Sequence, residues 1–166
     1  MKRWLAPILL TVGLVAGAGP AVAAPNPNKP SPNPTGTFDL RELLNGIGCP
    51  GLDITATLTG KSKTITLADD RFIGISPGAT ITLTADTGRT VSYVITGQFH
   101  IEVLPDGTQE FRATGRNLLG VPARGEETEG VFLTTGNVNF ALKGGAELRR
   151  FSGPGRVTDV CKALEA

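Results

Sequence analysis

Two acidic residues, an imidazole and a guanidinium occur together in one segment that alternates like a β-hairpin. His100 and Glu102 are two residues apart, as are Glu110 and Arg112, and Pro105-Asp106-Gly107 lies between the two pairs. Residues two apart point to the same face of a strand. A three-residue turn at that position places His100 opposite Arg112 and Glu102 opposite Glu110. Such a face has the groups that general acid–base catalysis needs, so these four residues are the catalytic candidates.

The same face also has a simpler interpretation. Charged cross-strand neighbours are common on the water-facing side of a half-exposed antiparallel sheet. If a barrel closes around the face, the four candidates line a cavity and the enzyme interpretation gains support. If the face is open to bulk water, it is an ordinary polar surface. We favour the second interpretation, because nothing else that we identify in the sequence points at this face.

A cation site is the next chemistry to consider. The loop 120–130 combines three glutamates with one arginine: Glu126, Glu127, Glu129 and Arg124. Carboxylate oxygens bind calcium, but this loop lacks the alternating Asp/Asn frame of calcium loops, and a solvated loop is favoured. Asp69-Asp70 is typical of a turn. Two cysteines and a single histidine cannot form a zinc cluster, so we expect no metal and no cofactor.

Threonines form another noticeable set. Five hydroxyl residues share one face of a predicted hairpin: Thr80, Thr82, Thr84, Thr90 and Ser92. Three more alternate on an earlier strand: Thr55, Thr57 and Thr59. A flat array of this kind could bind a regular surface such as ice or a polysaccharide. We favour the explanation that threonine is β-branched and polar, and therefore suits a solvent-facing strand.

The N-terminus has the three parts of a secretory signal peptide. Lys2 and Arg3 form a positive start, an uncharged stretch follows, and Pro20-Ala21-Val22-Ala23 supplies a cleavage site of small residues. The apolar stretch is shorter than the roughly 20 residues that a membrane-spanning helix needs. We therefore expect residues 1–23 to be removed, giving a secreted, extracellular chain that begins at Ala24 and has no stable membrane insertion.

Composition and charge bound the mature chain. Proline is dense in residues 24–37, and it suits neither a helix interior nor a β-ladder, which predicts a disordered linker there and one folded domain over 38–166. The chain has 16 Lys and Arg against 15 Asp and Glu, and removing Lys2 and Arg3 leaves 14 against 15, a net charge of −1. A near-neutral chain without a basic run has no electrostatic footprint for nucleic acid.

Cys49 and Cys161 are the two cysteines, near the two ends of the predicted domain. In an exported chain such a pair predicts a disulfide. Short helices are predicted beside both. In residues 38–46, Asp39 is the cap, Glu42 completes a capping box, and the final glycine ends the helix. Residues 158–164 form one or two turns that start near Asp159.

Between the helices the hydrophobic pattern has a period of two, which predicts strands. Asp86-Thr87-Gly88 predicts a further hairpin that pairs Leu83 with Val91. Gly136-Asn137 predicts a third hairpin with a two-residue turn. Its predicted pairs are Thr135 with Val138, Leu133 with Phe140, and Val131 with Leu142. Additional strands at 52–58, 64–67, 71–75 and 147–151 bring the total to about nine or ten. The sequence therefore predicts an all-β, antiparallel β-sandwich or β-barrel with short helices at both ends, and it leaves that choice open.

The chain also resembles a group of known proteins. The resemblance is carried by the Pro-rich leader and by four segments: Cys49-Pro50-Gly51, residues 80–84, residues 115–119 and residues 155–164. On these it resembles small secreted actinobacterial proteins of unassigned function. The resemblance implies export and a β fold, and it brings no catalytic or binding residue.

Export and an all-β domain together define the expected function. We expect a non-enzymatic module with a binding or structural role at the cell exterior. Its expected partner is an extracellular ligand or an envelope component. The alternative is a small β-barrel enzyme with acid–base chemistry at His100, Glu102 and Glu110.

Overall fold

The computed structural model describes residues 29–124, 126 and 128–165, and antiparallel strands make up most of them. The predicted signal peptide, 1–23, lies outside the described residues. The strands form three sheets. The first sheet has seven strands in the spatial order β1 (Ser31–Pro32), β4 (Lys61–Thr66), β5 (Arg71–Ile75), β8 (Gln98–Val103), β9 (Thr108–Thr114), β12 (Val138–Lys143) and β13 (Ala146–Ser152). The second has four, β2 (Thr37–Asp39), β3 (Ile54–Thr59), β6 (Thr80–Ala85) and β7 (Thr90–Val94). The third has three, β10 (Arg116–Val121), β11 (Gly130–Thr135) and β14 (Arg156–Asp159).

Each strand of the seven-stranded sheet continues, through a short bend, into a strand of one of the other two sheets. Strands β1, β4, β5 and β8 are each joined by a bend to a strand of the four-stranded sheet. Strands β9, β12 and β13 are each joined by a bend to a strand of the three-stranded sheet. Beyond the bend, β7 and β10 are not hydrogen-bonded neighbours, and the single sheet divides there into two. The all-β, antiparallel fold is confirmed, and of the two predicted alternatives the structure fits the β-sandwich. The seven-stranded sheet is open at β1 and β13, so the alternative of a closed barrel is wrong.

The two hairpins with three-residue turns are confirmed in register. Leu83 pairs with Val91 in the first of them, and the amide of Ala85 donates to the carbonyl of Arg89 across the turn, at 2.8 Å. In the second, Ile101 pairs with Phe111. The position of glycine in each turn, at a positive φ, and the alternation of apolar residues independently indicate the same register.

The third predicted hairpin is wrong, because the chain does not turn back at Gly136-Asn137. Thr135 pairs with Arg116, and Val138 pairs with Ala113 on the same neighbouring segment. Residues 130–143 are therefore one bent segment that runs antiparallel to residues 108–121. Gly136 has φ +87°, a conformation that serves a bend as well as a turn. The alternation of apolar residues on both sides of the glycine is the same for a hairpin turn and for a bend, so it does not distinguish them.

Glycines stand where the bent segments come closest together. Gly60, between β3 and β4, has φ +83°, and a Cβ built there would lie 2.3 Å from the carbonyl oxygen of Gly78. A Cβ at Gly97, between β7 and β8, would lie 2.5 Å from the carbonyl oxygen of Arg116. Real side chains do not tolerate contacts this short. The bends therefore depend on residues that have no side chain.

The main core lies between the four-stranded and three-stranded sheets. It joins buried side chains of β3, β6 and β11 to those of two short helices, α1 (Leu40–Leu43) and α2 (Val160–Glu165). Asp39 caps α1 by accepting a hydrogen bond from the Arg41 amide at 2.6 Å, and Asp159 accepts from the Lys162 amide at 3.1 Å. The predicted disulfide between Cys49 and Cys161 is present, with 5.3 Å between the Cα atoms. It joins the loop after α1 to α2.

A second apolar cluster supports one face of the seven-stranded sheet. The rings of Phe111 and Phe140 stack with their centroids 4.4 Å apart, and Phe151 meets Phe140 edge to face at 5.7 Å. Phe132 of the three-stranded sheet meets Phe151 at 5.1 Å. Alternation along the strands then directs the neighbouring residues of β9 and β12 to the opposite face. The aromatic cluster thereby fixes the strands that carry the polar face.

Residues 31–33 of the predicted linker take part in the fold. Ser31 pairs with Ser62 and Pro32 with Lys61 at the edge of the seven-stranded sheet, and the Asn33 amide donates to the carbonyl of Gly60 at 2.9 Å. An edge strand accepts proline because one of its sides needs no N–H donor. Paired structure therefore begins before residue 38, the predicted start of the domain.

Asp106 holds the turn between β8 and β9. Its carboxylate accepts hydrogen bonds from the Thr108 amide and hydroxyl, both at 3.0 Å, and from the Lys143 ammonium at 2.7 Å. The bond from Lys143, followed by those from Thr108, lowers the pKa of Asp106 to about 2 from an ordinary 3.8. These contacts tie the turn to the end of β12.

The lowered pKa of Asp106 predicts an acid-dependent contribution to stability. The folded state holds this proton more weakly than the unfolded state, so the stabilisation is complete above an ordinary carboxyl pKa of about 4. It is lost as the pH falls towards about 2. We expect Asp106→Asn to reduce the slope of unfolding free energy against pH in that window, as measured by urea titrations at successive pH values. Lys143→Gln should reduce the slope in the same direction. An unchanged slope in both variants would contradict the assignment.

Candidate functional site

The face predicted from the sequence is formed as expected. His100 lies opposite Arg112, and Glu102 lies opposite Glu110, on strands β8 and β9. Their neighbours Ile101 and Phe111 alternate with them and point to the other face. Directly opposed cross-strand residues have Cβ atoms about 4.5–5.5 Å apart. The four predicted candidates are therefore within reach of one another on one side of the sheet.

This face forms the floor of an open cleft of about 520 Å³. The cleft is lined by residues of β5, β8, β9, β12 and β13 and of the turn after β4: Leu67, Arg71, Phe72, His100, Ile101, Glu102, Glu110, Phe111, Arg112, Asn139, Arg149 and Ser152. Every predicted candidate is in this set. The structure adds residues from strands that are remote in sequence, which the hairpin alone does not reveal.

Strand pairing orders the polar residues of the cleft into two rows across the sheet. The first, which we call the carboxylate row, consists of Arg71, Glu102, Glu110 and Arg149. The second, which we call the donor row, consists of His100, Arg112, Asn139 and Ser152. The rows are two residues apart along each regular strand, which corresponds to roughly 6.5–7 Å. The cleft therefore presents acceptors and donors at a fixed spacing.

The carboxylate row contains one internal ion pair. Arg149 binds Glu110 through both guanidinium nitrogens, with Nη1 at 3.4 Å from Oε1 and Nη2 close to Oε2. The Glu110 side chain is 34% exposed. A two-pronged pair of this kind has a more specific geometry than a single contact. Glu110 is thus already engaged within the protein and fixed in orientation.

Three residues at the centre of the cleft have no such partner. Among the residues that the structure describes, the side chains of His100, Glu102 and Arg112 make no hydrogen bond or ion pair. Glu102 and Arg112 are exposed, and His100 is half-buried. Arg71, at the end of the carboxylate row, donates to the carbonyl of Ala68 at 3.2 Å. The unpartnered groups are therefore those that a ligand entering the cleft would meet.

Residues 74–78 have the sequence Gly-x-Ser-x-Gly, which is not among the predicted sites. In hydrolases this motif places a nucleophilic serine on a sharp turn between a strand and a helix. Here Ser76 lies at the bend between β5 and β6. Its hydroxyl contacts two backbone carbonyls, those of Ile95 at 2.6 Å and Gly97 at 3.2 Å. The serine stabilises the bend, in a context unlike that of a nucleophile.

The acidic loop does not gather its carboxylates around a common centre in the part of the chain that is described. Glu129 pairs with Arg41 of α1 at 2.6 Å, and Glu127 lies outside the described residues. Within 29–124, 126 and 128–165, no group of three or more His, Cys, Asp or Glu could hold a metal ion. Asp69 and Asp70 occupy a turn with positive φ angles, as predicted for that pair.

The threonines share one outward face of the four-stranded sheet. Pairing of β3 with β6 aligns the two predicted sets in adjacent positions: Thr55 with Thr84, Thr57 with Thr82, and Thr59 with Thr80. The hydroxyls of Thr82 and Ser92 are 2.7 Å apart, and those of Thr84 and Thr90 are 3.1 Å apart. These hydroxyls satisfy one another in pairs. The cleft differs in its chemistry, because among the described residues an imidazole, a carboxylate and a guanidinium have no protein partner there.

No helix among the described residues is long and apolar enough to cross a membrane. Comparison with known proteins finds no matching family model, no matching curated protein and no matching solved structure. The resemblance to small secreted actinobacterial proteins stays a prediction.

Proposed function

We propose that this chain is an exported, extracellular binding domain that holds an envelope component in the cleft of the seven-stranded sheet, without catalysis. The observation that carries the proposal is the group of unpartnered side chains, His100, Glu102 and Arg112, at the centre of an open cleft. Rigid strands fix the backbone positions of these residues, so binding has to order their side chains and not the backbone that carries them.

Two features support export. The N-terminal sequence has the layout of a signal peptide, and the disulfide suits an oxidising compartment. The disulfide has a sequence separation of 112 and joins the loop after α1 to α2. A domain stapled in this way is suited to conditions outside the cell.

Export predicts a specific mature terminus. Expression of the full chain in a secreting bacterial host should give a protein in the medium that begins at Ala24. Intact-mass measurement and N-terminal sequencing check this directly. Retention of Met1 on material that sediments with membranes would contradict export.

The enzyme alternative is supported by one observation, the direct opposition of Glu102 and Glu110. Carboxyl groups are among the side chains that transfer protons in acid–base catalysis. Two observations favour binding instead. The Glu110 carboxylate is already paired with Arg149, and the cleft is open to water. A water-excluded site is what usually strengthens the electrostatics of catalysis.

One assay separates binding from catalysis. The purified mature protein is incubated with actinobacterial cell-wall material, and both the sedimenting protein and the soluble fragments released from the wall are measured over time. We expect the protein to sediment with the wall and to release no fragments. Steady release by the wild type that is abolished in Glu102→Gln would contradict the proposal and establish the enzyme.

A further inference from the structure

The cleft has a local charge opposite to that of the mature chain as a whole. Three guanidiniums line it against two carboxylates, Glu102 and Glu110. Since Arg149 and Glu110 neutralise each other, Arg71 and Arg112 remain against Glu102. Arg71 is 4.0 Å from the exposed Asp69, a loose contact outside the row. The mature chain is expected to have a net charge of −1, so the positive balance is a property of this face.

The donor row is suited to an oxyanion. Arg112 lies between His100 and Asn139 in consecutive cross-strand positions, so three side chains that donate hydrogen bonds are adjacent. A guanidinium matches the two oxygens of a carboxylate or phosphate with a planar fork. Ser152 donates to the carbonyl of Asn139 at 3.5 Å, which places its hydroxyl at the edge of this set. The unpartnered fork of Arg112 is the centre of the row.

The neighbouring row supplies the complementary chemistry. Glu102 is an acceptor about 6.5–7 Å from the donor row, by the repeat of a strand. A ligand that bridges both rows therefore needs an anionic group and, a few bonds away, donors such as hydroxyls. The exposed apolar side chain of Leu67, at the rim of the cleft, offers a surface for the C–H face of a ring.

We propose that the ligand of the cleft is an anionic glycan, with its carboxylate or phosphate on Arg112 and His100 and its hydroxyls on Glu102. This rests on the proposed binding function and names the class of ligand. Because the cleft is open and its charges are at the surface, salt screens the contact. Binding should weaken as sodium chloride is raised.

The single histidine of the chain provides a reporter inside the cleft. NMR spectra of the mature protein are recorded at fixed pH with sodium glucuronate, sodium glucose 6-phosphate or glucose. The His100 ring signals should shift in a saturable way with one or both charged sugars, and the neutral sugar should leave them in place. Response to glucuronate alone assigns the oxyanion as a carboxylate, and response to glucose 6-phosphate alone assigns it as a phosphate.

Matched variants locate the charge. Arg112→Gln removes the charge-assisted hydrogen bonds to the oxyanion and should weaken binding of the charged sugar by roughly tenfold or more. Arg112→Lys keeps the charge without the fork and should give an intermediate loss. Arg156→Gln, at an exposed position on β14 outside the cleft, should bind like the wild type.

Three outcomes would overturn this proposal. The first is a His100 response to glucose equal to that with the charged sugars. The second is a failure of both charged sugars to shift the His100 signals, and the third is an unchanged affinity in Arg112→Gln. If the mature protein still sediments with wall material in any of these cases, the binding function survives and only the anionic class fails. If sedimentation is also absent, the proposed function itself fails.

Discussion

We expect Cys161→Ala to lower the free energy of unfolding by about 2–5 kcal/mol, the usual cost of removing a native disulfide. The bond closes a loop with a sequence separation of 112, so its removal enlarges the unfolded ensemble. The substitution also removes the link between the loop after α1 and helix α2. In addition it removes the Cys161 Sγ atom, which accepts a hydrogen bond from the Val131 amide at 3.4 Å. Urea titration of the oxidised wild type and the variant measures the difference.

The partner cysteine provides the control for this prediction. Cys49→Ala should cost about as much as Cys161→Ala, and the double variant should cost little more than either, because all three lack the same bond. A loss below about 1 kcal/mol in both single variants would contradict a structural role for the bond. Additive losses in the double variant would indicate that the two side chains stabilise the fold independently.

Gly60→Ala is the second substitution with a large expected effect. Its φ of +83° is costly for a residue with a side chain, and a Cβ there would meet backbone atoms of Gly78 and Ala79 at 2.3 and 2.6 Å. The backbone of Gly78 and Ala79 cannot move away from an alanine at position 60 unless the bend opens. Strain of both kinds together predicts a loss of about 2–4 kcal/mol in unfolding free energy.

Gly88 separates the two causes. It has φ +87°, and a Cβ there would meet nothing within 4 Å, so Gly88→Ala changes the backbone preference without a collision. We expect Gly88→Ala to cost about 1–2 kcal/mol, clearly less than Gly60→Ala. Equal losses would show that the bent segments do not approach one another closely at Gly60.

Local signals predicted the hairpins well and the bends poorly. At Ala85 and Leu104 the turn residues and the apolar register agree, because both depend on contacts within one hairpin. At Gly136 they do not discriminate, since a positive φ and alternation on both sides fit a bend and a turn equally. Pairing with residues 108–121 selects the bend over the turn. The sequence pattern of residues 130–143 alone carries no information about that pairing.

The candidate site divides in the same way. His100 and Arg112 were predicted as neighbours because one hairpin joins them. Asn139 and Arg149 were not predicted, because they reach the cleft through the pairing of β9 with β12 and of β12 with β13. The incorrect hairpin at Gly136 paired β12 with β11, which is incompatible with the observed pairing of β12 with β9. The ion pair of Arg149 with Glu110 supports the proposal of binding over the alternative of catalysis.

The central claim is that the cleft, and not the threonine face, is the binding surface, and one comparison tests it most directly. Sedimentation with actinobacterial cell-wall material is measured for wild type, for His100→Ala/Arg112→Gln, and for Thr57→Val/Thr82→Val, which alters two paired residues of the threonine face. Substitutions on these polar faces should change unfolding free energy by only about 0.5 kcal/mol each, which urea titration verifies. We predict that the cleft variant loses binding by roughly tenfold or more and that the threonine variant binds like the wild type. Loss of binding in the threonine variant, with the cleft variant unaffected, would contradict the claim.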